Sequence, residues 1–441
     1  MNLHAPSLLK KQYLSLYTAI VLVLIIVGCT STSEKTKILI TPSNLTPQSA
    51  VSSGTTASQT IEPTSKVTTL EIGTSTPVFT PLPKFPTAEK IPTSTINQLS
   101  PKIVPASEII NTSKISTFFP EHTLPLTIAL DDKYVYWVDH RDPGLLYRIS
   151  LLGGTPEVAA RSLYDDGRLD CVDLQTSEHW LILCDTSRSK DLTIWKIRAI
   201  NLDDLSQTVL LSDNNRSNLI TLFDISLDGN SVIWVITTLK DNKLDENIVT
   251  LVNLDTGERR DILHKKADTS IWSVISLSGN QAVIEQDYDE TQGGKNVLHL
   301  LDLSNGNLSD LSLGGESSMP EFFFPWMIWK QGARFRFVRS FVIYNLDDDQ
   351  KSLIPNLGRD PIDPMINGSW VYWRDNPKTF EKGNAIYIYN IEKNMTYVLE
   401  TPGPDQFYRE VYIYGNKIAW TRELEYSKAN HNACLEWATI E

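Results

Sequence analysis

The chain has 441 residues, a net charge of −13 and 9% aromatic residues, enough for two or three ordinary domains or one large repeat array. An acidic balance of this size argues against a nucleic-acid partner, because phosphate binding needs clustered Lys and Arg. All eleven Trp lie at or after Trp137, so the core is expected in the last two thirds of the chain.

Lys10 and Lys11 precede an apolar run, Leu14 to Val27, too short for a membrane span but suited to a signal-peptide core. The run ends Ile26-Val27-Gly28-Cys29, which resembles the lipobox of bacterial lipoprotein signal peptides. The resemblance implies that the Cys29 thiol takes a diacylglycerol, that cleavage precedes it, and that the new amine is acylated. Residues 1–28 are then a signal peptide, and losing Lys10 and Lys11 with it takes the charge from −13 to −15. The other reading is an ordinary secretory signal, or an uncleaved anchor, with an incidental Cys. Thr30 follows Cys29, and by the resemblance it gives no reason for retention at an inner membrane. The expected location is extracytoplasmic, held by lipid to the cell membrane or the outer membrane.

Residues 29–111 read as a disordered linker. Of the 76 residues from Thr30 to Pro105, 38 are Ser, Thr or Pro, too few of the rest being apolar to offset the entropy of ordering. Such a coil spans on the order of 50 Å. It is either a plain spacer or an O-glycosylated stalk.

Residues 112–441 repeat. Seven short β-rich runs carry a large apolar anchor: Trp137, Leu183, Trp234, Ile284, Trp329, Trp373 and Trp420, separated by 46, 51, 50, 45, 44 and 47 residues. That period suits a four-stranded propeller blade. Six residues before each anchor begins an expected two-residue turn: Asp131-Asp132, Ser177-Glu178, Asp228-Gly229, Ser278-Gly279, Phe323-Phe324, Asn367-Gly368 and Tyr414-Gly415. Phe323-Phe324 is poor turn chemistry, so blade five is expected to be irregular there. The seventh copy has three strands, and Lys114–Pro120 is expected to supply its fourth, closing the ring and removing an open sheet edge. The expected fold is therefore an all-β, seven-bladed propeller. The rival is a six-bladed ring with a stray hairpin.

Ser226-Leu227-Asp228-Gly229-Asn230 and Ser276-Leu277-Ser278-Gly279-Asn280 resemble the Ser-Pro-Asp-Gly hairpins of TolB-type propellers. Val135-Tyr136-Trp137-Val138-Asp139 and Val371-Tyr372-Trp373-Arg374-Asp375 are similar to the Tyr-Trp-Thr-Asp propellers of receptor ectodomains. The likeness is at repeat level and speaks to fold rather than function.

Cys171 and Cys184 flank the expected turn of blade two at positions summing to 355, which places them opposite one another on a non-hydrogen-bonded rung. A disulfide is expected there, with two buried thiols as the other reading. Cys434 is left over as a buried, unreactive thiol.

No nucleophile elbow, zinc helix, phosphate loop or EF-hand loop occurs, and no cofactor or metal site is expected from the seven His. Asp165, Asp166, Asp170 and Asp173 cluster before blade two, either as solvated turn acids or as oxygen ligands for calcium. The longer loops share one face, where Asp139, His140, Asp185, Asp287, Arg374, Asp375 and Arg422 form the candidate binding surface. Asp139, Asp185 and Asp375 serve there as ligand groups or as caps of loop N–H groups. Arg334-Phe335-Arg336-Phe337-Val338-Arg339 reads as a half-buried strand with solvated Arg, or as a grip for a polyanion. The expected role is a monomeric binding or scaffold module for a protein, peptide or cell-wall glycan. The alternatives are a hydrolase or lyase with its site on the same face, and a partner in a TolB-like envelope complex.

Overall fold

The computed structural model describes Val67–Thr68 and residues 96–441, except 119–124, 170–172, 190–191, 213–218, 221–224, 241–242, 268–269, 289–296, 312–316, 332–339, 355–359, 377–383, 401–405 and 425–431. Cys29, Cys171, Asp170, His431 and the run Arg334–Arg339 lie outside the described residues. No helix among the described residues is long and apolar enough to cross a membrane.

Seven antiparallel sheets follow one another along the chain. Blade one is Pro125–Leu130, Tyr134–Asp139, Leu145–Ser150 and Glu157–Arg161, and the pattern repeats to blade seven, Phe407–Tyr414, Lys417–Leu424 and Asn432–Thr439. The innermost strand of each blade contacts that of the next, and blade seven contacts blade one, so the sheets form a ring. The six-bladed alternative is thereby excluded.

The anchors explain the period. Buried apolar residues fall into seven clusters, one at each interface between neighbouring blades. Trp137 and Val135 pack against Ala419, Leu435 and Trp437 of blade seven, whereas Tyr136 and Val138 pack against Leu181 and Leu183 of blade two. Alternate side chains of strand two thus face opposite neighbours. Both faces are covered, which is why the sequence shows a continuous apolar run instead of an apolar–polar alternation. Each anchor fills the interface with the preceding blade.

The turns lie one residue later than expected. Asp228 pairs with Ser231 and Ser278 with Gln281, so Gly229-Asn230 and Gly279-Asn280 are the turn residues. Glycine takes the first turn position with positive φ, 54° at Gly229 and 56° at Gly279, the requirement of a type II′ hairpin. The residue before it is freed for another job. Asp228 accepts the Gly279 N–H (2.6 Å), Ser278 accepts the Phe324 N–H (3.0 Å), and Asn367 accepts the Gly415 N–H (3.0 Å). The polar residue preceding each of these turns is therefore an inter-blade cap. In blade five the turn is Phe324-Pro325, joined by a cis peptide, and Phe323 pairs with Trp326 in the same register as elsewhere.

Ring closure is as expected. Ser116–Phe118 pairs antiparallel with blade seven's third strand, Phe118 facing Leu435 and Ser116 facing Trp437. The ordered domain nevertheless begins before residue 112. Lys102–Pro105 lies parallel to Met395–Glu400 of blade six, and Ile96–Gln98 parallel to Gln350–Ile354 of blade five. Between these strands and the closing strand, Ile109 and Ile110 are buried, Ile110 completely, in the cluster shared by blades six and seven. Composition hid this, because an outer fifth strand needs few apolar side chains and tolerates Pro at an edge.

Candidate functional site

Two of the expected loops are not loops. Strands two and three of blade two, Trp180–Ser189 and Leu192–Asn201, have 10 residues each, and those of blade three, Ser231–Lys240 and Lys243–Asn253, have 10 and 11. Blade one's have 6. The paired ends of these strands, Asp185–Ser189 with Leu192–Lys196 and Thr237–Lys240 with Lys243–Asn247, thus form two projecting hairpins on neighbouring blades. Thr237 and Thr238 continue the β pattern and bond across the rungs to Asn247 and Glu246.

Asp185 sits within a strand, fully buried against Arg198, whose Nη2 donates to it at 3.1 Å and to the Arg161 carbonyl at 2.6 Å. Asp185 also accepts the Leu163 N–H at 2.9 Å, tying the blade one–two connection to blade two. Asp139 is buried and accepts the Arg141 N–H at 2.8 Å, and Asp375 is buried and accepts the Tyr387 hydroxyl at 3.1 Å. Each of the three aspartates thus accepts a hydrogen bond from its own blade or the adjoining connection. Arg422 donates to Glu436 and Gln406. His140 is exposed. Asp287 lies in the strand Gln281–Tyr288, and its side chain is outside the described residues. Asp166 accepts the Ser187 hydroxyl at 2.6 Å. Among the described residues no group of three or more His, Cys, Asp or Glu has a metal-holding arrangement.

Cys184 is disulfide-bonded, and Cys434 is a buried free thiol pushed up to about 12 by burial. The register next to blade two's turn pairs Leu181 with Thr176 and Ile182 with Gln175, positions summing to 357 rather than 355. In blade three the innermost strand slips by two, from Ile225–Trp234, summing to 459, to Ile220–Thr237, summing to 457. Cys171, the expected partner of Cys184, lies outside the described residues.

What the structure does bring together is a set of carboxylates from four blades. The innermost strands of blades six and seven bulge between Ile362 and Met365 and between Tyr408 and Val411, and these bulges hold Asp363 and Glu410. Asp173 occupies the corresponding place in blade two, just ahead of Gln175–Thr176, and Glu321 lies in blade five's innermost strand. Asp173 senses Asp363, Glu321 senses Asp173, and Glu410 senses both Asp173 and Asp363. Blade two meets blades five and six only across the central channel, so these groups face one another over it. Burial among the strands, reinforced by this mutual repulsion, raises Asp173 and Glu410, and pushes Glu321 up to about 8. Both nearby guanidinium groups are engaged, Arg374 with Asp363 (2.8 Å) and Arg409 with Glu423 (2.6 Å). Tyr412 reaches past blade one to accept the Thr176 N–H of blade two at 3.1 Å, and the Tyr372 hydroxyl donates to the Val411 carbonyl at 2.6 Å.

Such a channel has a definite pH signature. Glu321 titrates higher folded than unfolded, so the folded state favours its protonated form. Its contribution is present below the ordinary carboxylate range and is lost as pH rises through about 8. Glu321→Gln is expected to flatten the fall in melting temperature between pH 5 and 9, measured by calorimetry. An unchanged slope would contradict the assignment.

This acid ring was missed in the sequence, although a signal existed. Asp173, Asp363 and Glu410 each lie five residues before the first residue of a turn, and Asp224, outside the described residues, has the same offset. Of the described aspartates in the Asp-rich stretch before blade two, Asp173 is the one coupled to the channel set.

No family model and no curated protein matches this chain. Solved structures do. The β-propeller domain of the Trilobed protease from Pyrococcus furiosus matches with a TM-score of 0.52 at 11% identity, over 71% of this chain and 95% of that one. An oligogalacturonate lyase in complex with manganese matches with a TM-score of 0.48 at 10% identity, over 78% and 90% of the two chains. TolB from Acinetobacter baumannii matches with a TM-score of 0.39 at 12% identity, over 62% and 64%. At these identities the likeness is one of fold alone: a β-propeller.

Proposed function

We propose that this chain is an extracytoplasmic binding module, held to a membrane by lipid on Cys29, whose channel mouth takes a basic side chain of a protein or peptide ligand. The observation that carries the reading is the set of four carboxylates around one channel, with Arg374 and Arg409 already committed to Asp363 and Glu423. Burial raises Glu321 most and repulsion from Asp173 adds to it; a cation entering the channel relieves that repulsion, and the shape of a closed ring keeps the carboxylates from moving apart to relieve it themselves. The projecting hairpins of blades two and three supply contact surface on a rigid scaffold. A neutral glycan has no comparable use for crowded carboxylates.

Titration calorimetry with a tetralysine peptide, and with the same peptide acetylated on every lysine, tests this. Binding of the charged peptide alone is expected, weakening with salt and falling at least about tenfold, or 1.4 kcal/mol, in the double variant Asp173→Asn, Glu410→Gln. Equal binding of both peptides, or a double variant that binds like the parent, would overturn the assignment.

A further inference from the structure

A chain of hydrogen bonds crosses blade four from its outer strand to its innermost one. Leu308–Leu311 supplies Asp310, Val297–Asp302 supplies His299, Gln281–Tyr288 supplies Gln286 and Ser270–Ser278 supplies Ser270. His299 Nδ1 lies 2.8 Å from an Asp310 carboxylate oxygen, and His299 Nε2 lies 2.9 Å from Gln286 Oε1. Gln286 Nε2 donates to the Ser270 hydroxyl at 2.8 Å. The Ser270 carbonyl accepts the Asn247 side-chain amide at 3.2 Å, and Asn247 accepts the Thr237 hydroxyl at 2.6 Å. Thr237 and Asn247 share a rung of blade three's projecting hairpin. His299, Ser270, Asn247 and Thr237 are buried, and Asp310 is exposed.

The chemistry of the partners fixes the direction of each bond. A carboxylate only accepts, so His299 Nδ1 carries a proton. While Gln286 donates to Ser270, its Oε1 faces His299 as a second acceptor, and Nε2 carries a proton too. That arrangement belongs to the charged ring. A neutral ring keeps the proton facing Asp310 and leaves Nε2 as an acceptor. Gln286 must then turn its NH2 to His299 and its Oε1 to Ser270, whose hydroxyl donates as readily as it accepts. Both arrangements fill the same space and satisfy every partner.

We propose that His299 and Gln286 form a proton-operated switch, in which uptake of a proton by His299 turns the Gln286 amide over and reverses the hydrogen bond to Ser270, at the base of blade three's hairpin. Trp272 stacks on the imidazole, with ring centroids 5.4 Å apart and 15° between the planes, and holds the ring in place as the proton comes and goes. Burial is the largest influence on the ring and disfavours its charged form. Asp310, from blade four's outer strand, favours that form, and Lys265, from blade three's outer strand, opposes it. Ser270, Trp272 and Gln286, from the first and second strands of blade four, are neutral. The balance holds His299 below the ordinary imidazole value of 6.5, so the neutral arrangement prevails at neutral pH and the charged one on acidification. The switch does not depend on the ligand reading above.

Nitrogen-15 spectra of the full chain test it, with histidine rings and glutamine amides labelled, between about pH 4 and 8. His299→Gln identifies the ring's resonances. At neutral pH His299 is expected to be protonated at Nδ1 alone. On acidification it takes a second proton in one step, and the Gln286 amide resonances move with the same midpoint. Gln286→Glu places a carboxylate, which only accepts, against Nε2, and is expected to raise the midpoint by about one pH unit or more. A ring that stays neutral throughout, a neutral ring protonated at Nε2, or a Gln286 amide that does not follow the titration would each overturn the proposal. So would a midpoint left unchanged in folded Gln286→Glu, and the parent's own titration decides the matter if that variant does not fold.

Discussion

Replacing Asp185 with alanine is expected to destabilise the propeller by about 3–5 kcal/mol, the cost of leaving a buried charge without its partner. Arg198 is as buried as Asp185, and its remaining acceptors, the Arg161 carbonyl and the Gln207 amide oxygen, are neutral. Asp185→Ala also removes the acceptor of the Leu163 N–H, which loosens the connection between blades one and two. The pair as a whole is a different matter. Its burial costs desolvation that its attraction roughly offsets, so the double variant Asp185→Leu, Arg198→Met is expected to recover most of the loss. Urea unfolding of the parent, the single variant and the double variant measures both. A single variant within about 1 kcal/mol of the parent would mean that water reaches Arg198 and that the burial described above is wrong.

A chain beginning at residue 119 is expected not to fold to a monomeric ring. It loses Val104, Ile109 and Ile110, all buried in the cluster between blades six and seven, and each buried aliphatic of this size contributes roughly 1.5–3 kcal/mol. Their sum is comparable to the whole stability of an ordinary domain, about 5–15 kcal/mol. The truncation also exposes the edge of Asn432–Thr439, inviting association. Ile110→Ala is the milder form of the same test and is expected to cost about 2–5 kcal/mol. Size-exclusion chromatography and calorimetry read the outcome. A truncated chain that stays monomeric with an unchanged melting temperature would show that the ring does not need its N-terminal strand.

The residues that were legible share a property: their structural role is repeated in every blade. Trp137, Trp234, Trp329 and their equivalents announce the period because each fills the same kind of interface, and the run around Phe118 was readable because blade seven lacked a fourth strand. Roles that depend on neighbouring blades were harder. Gly229 was placed second in its turn because Asp-Gly favours that position in isolation, whereas Asp228 is drawn away to cap Gly279 of the next blade. Asp139, Asp185 and Asp375 share a height above their anchors, and the local donor that each accepts from is not legible in that spacing. The acid ring is the extreme case. Asp173, Glu321, Asp363 and Glu410 come from blades two, five, six and seven, and only closure of the circle brings Asp173 to the other three.

The pairing of Phe118 with Leu435 also sets an order of events. During synthesis the closing strand emerges ahead of every blade and its partner emerges after nearly all of them, so Phe118 must wait without a mate while six sheets assemble. Contacts so remote in sequence form slowly. Until that final latch engages, the newly made protein presents an unfinished seventh sheet, and this interval is when a holding chaperone or premature meeting with another copy would matter most.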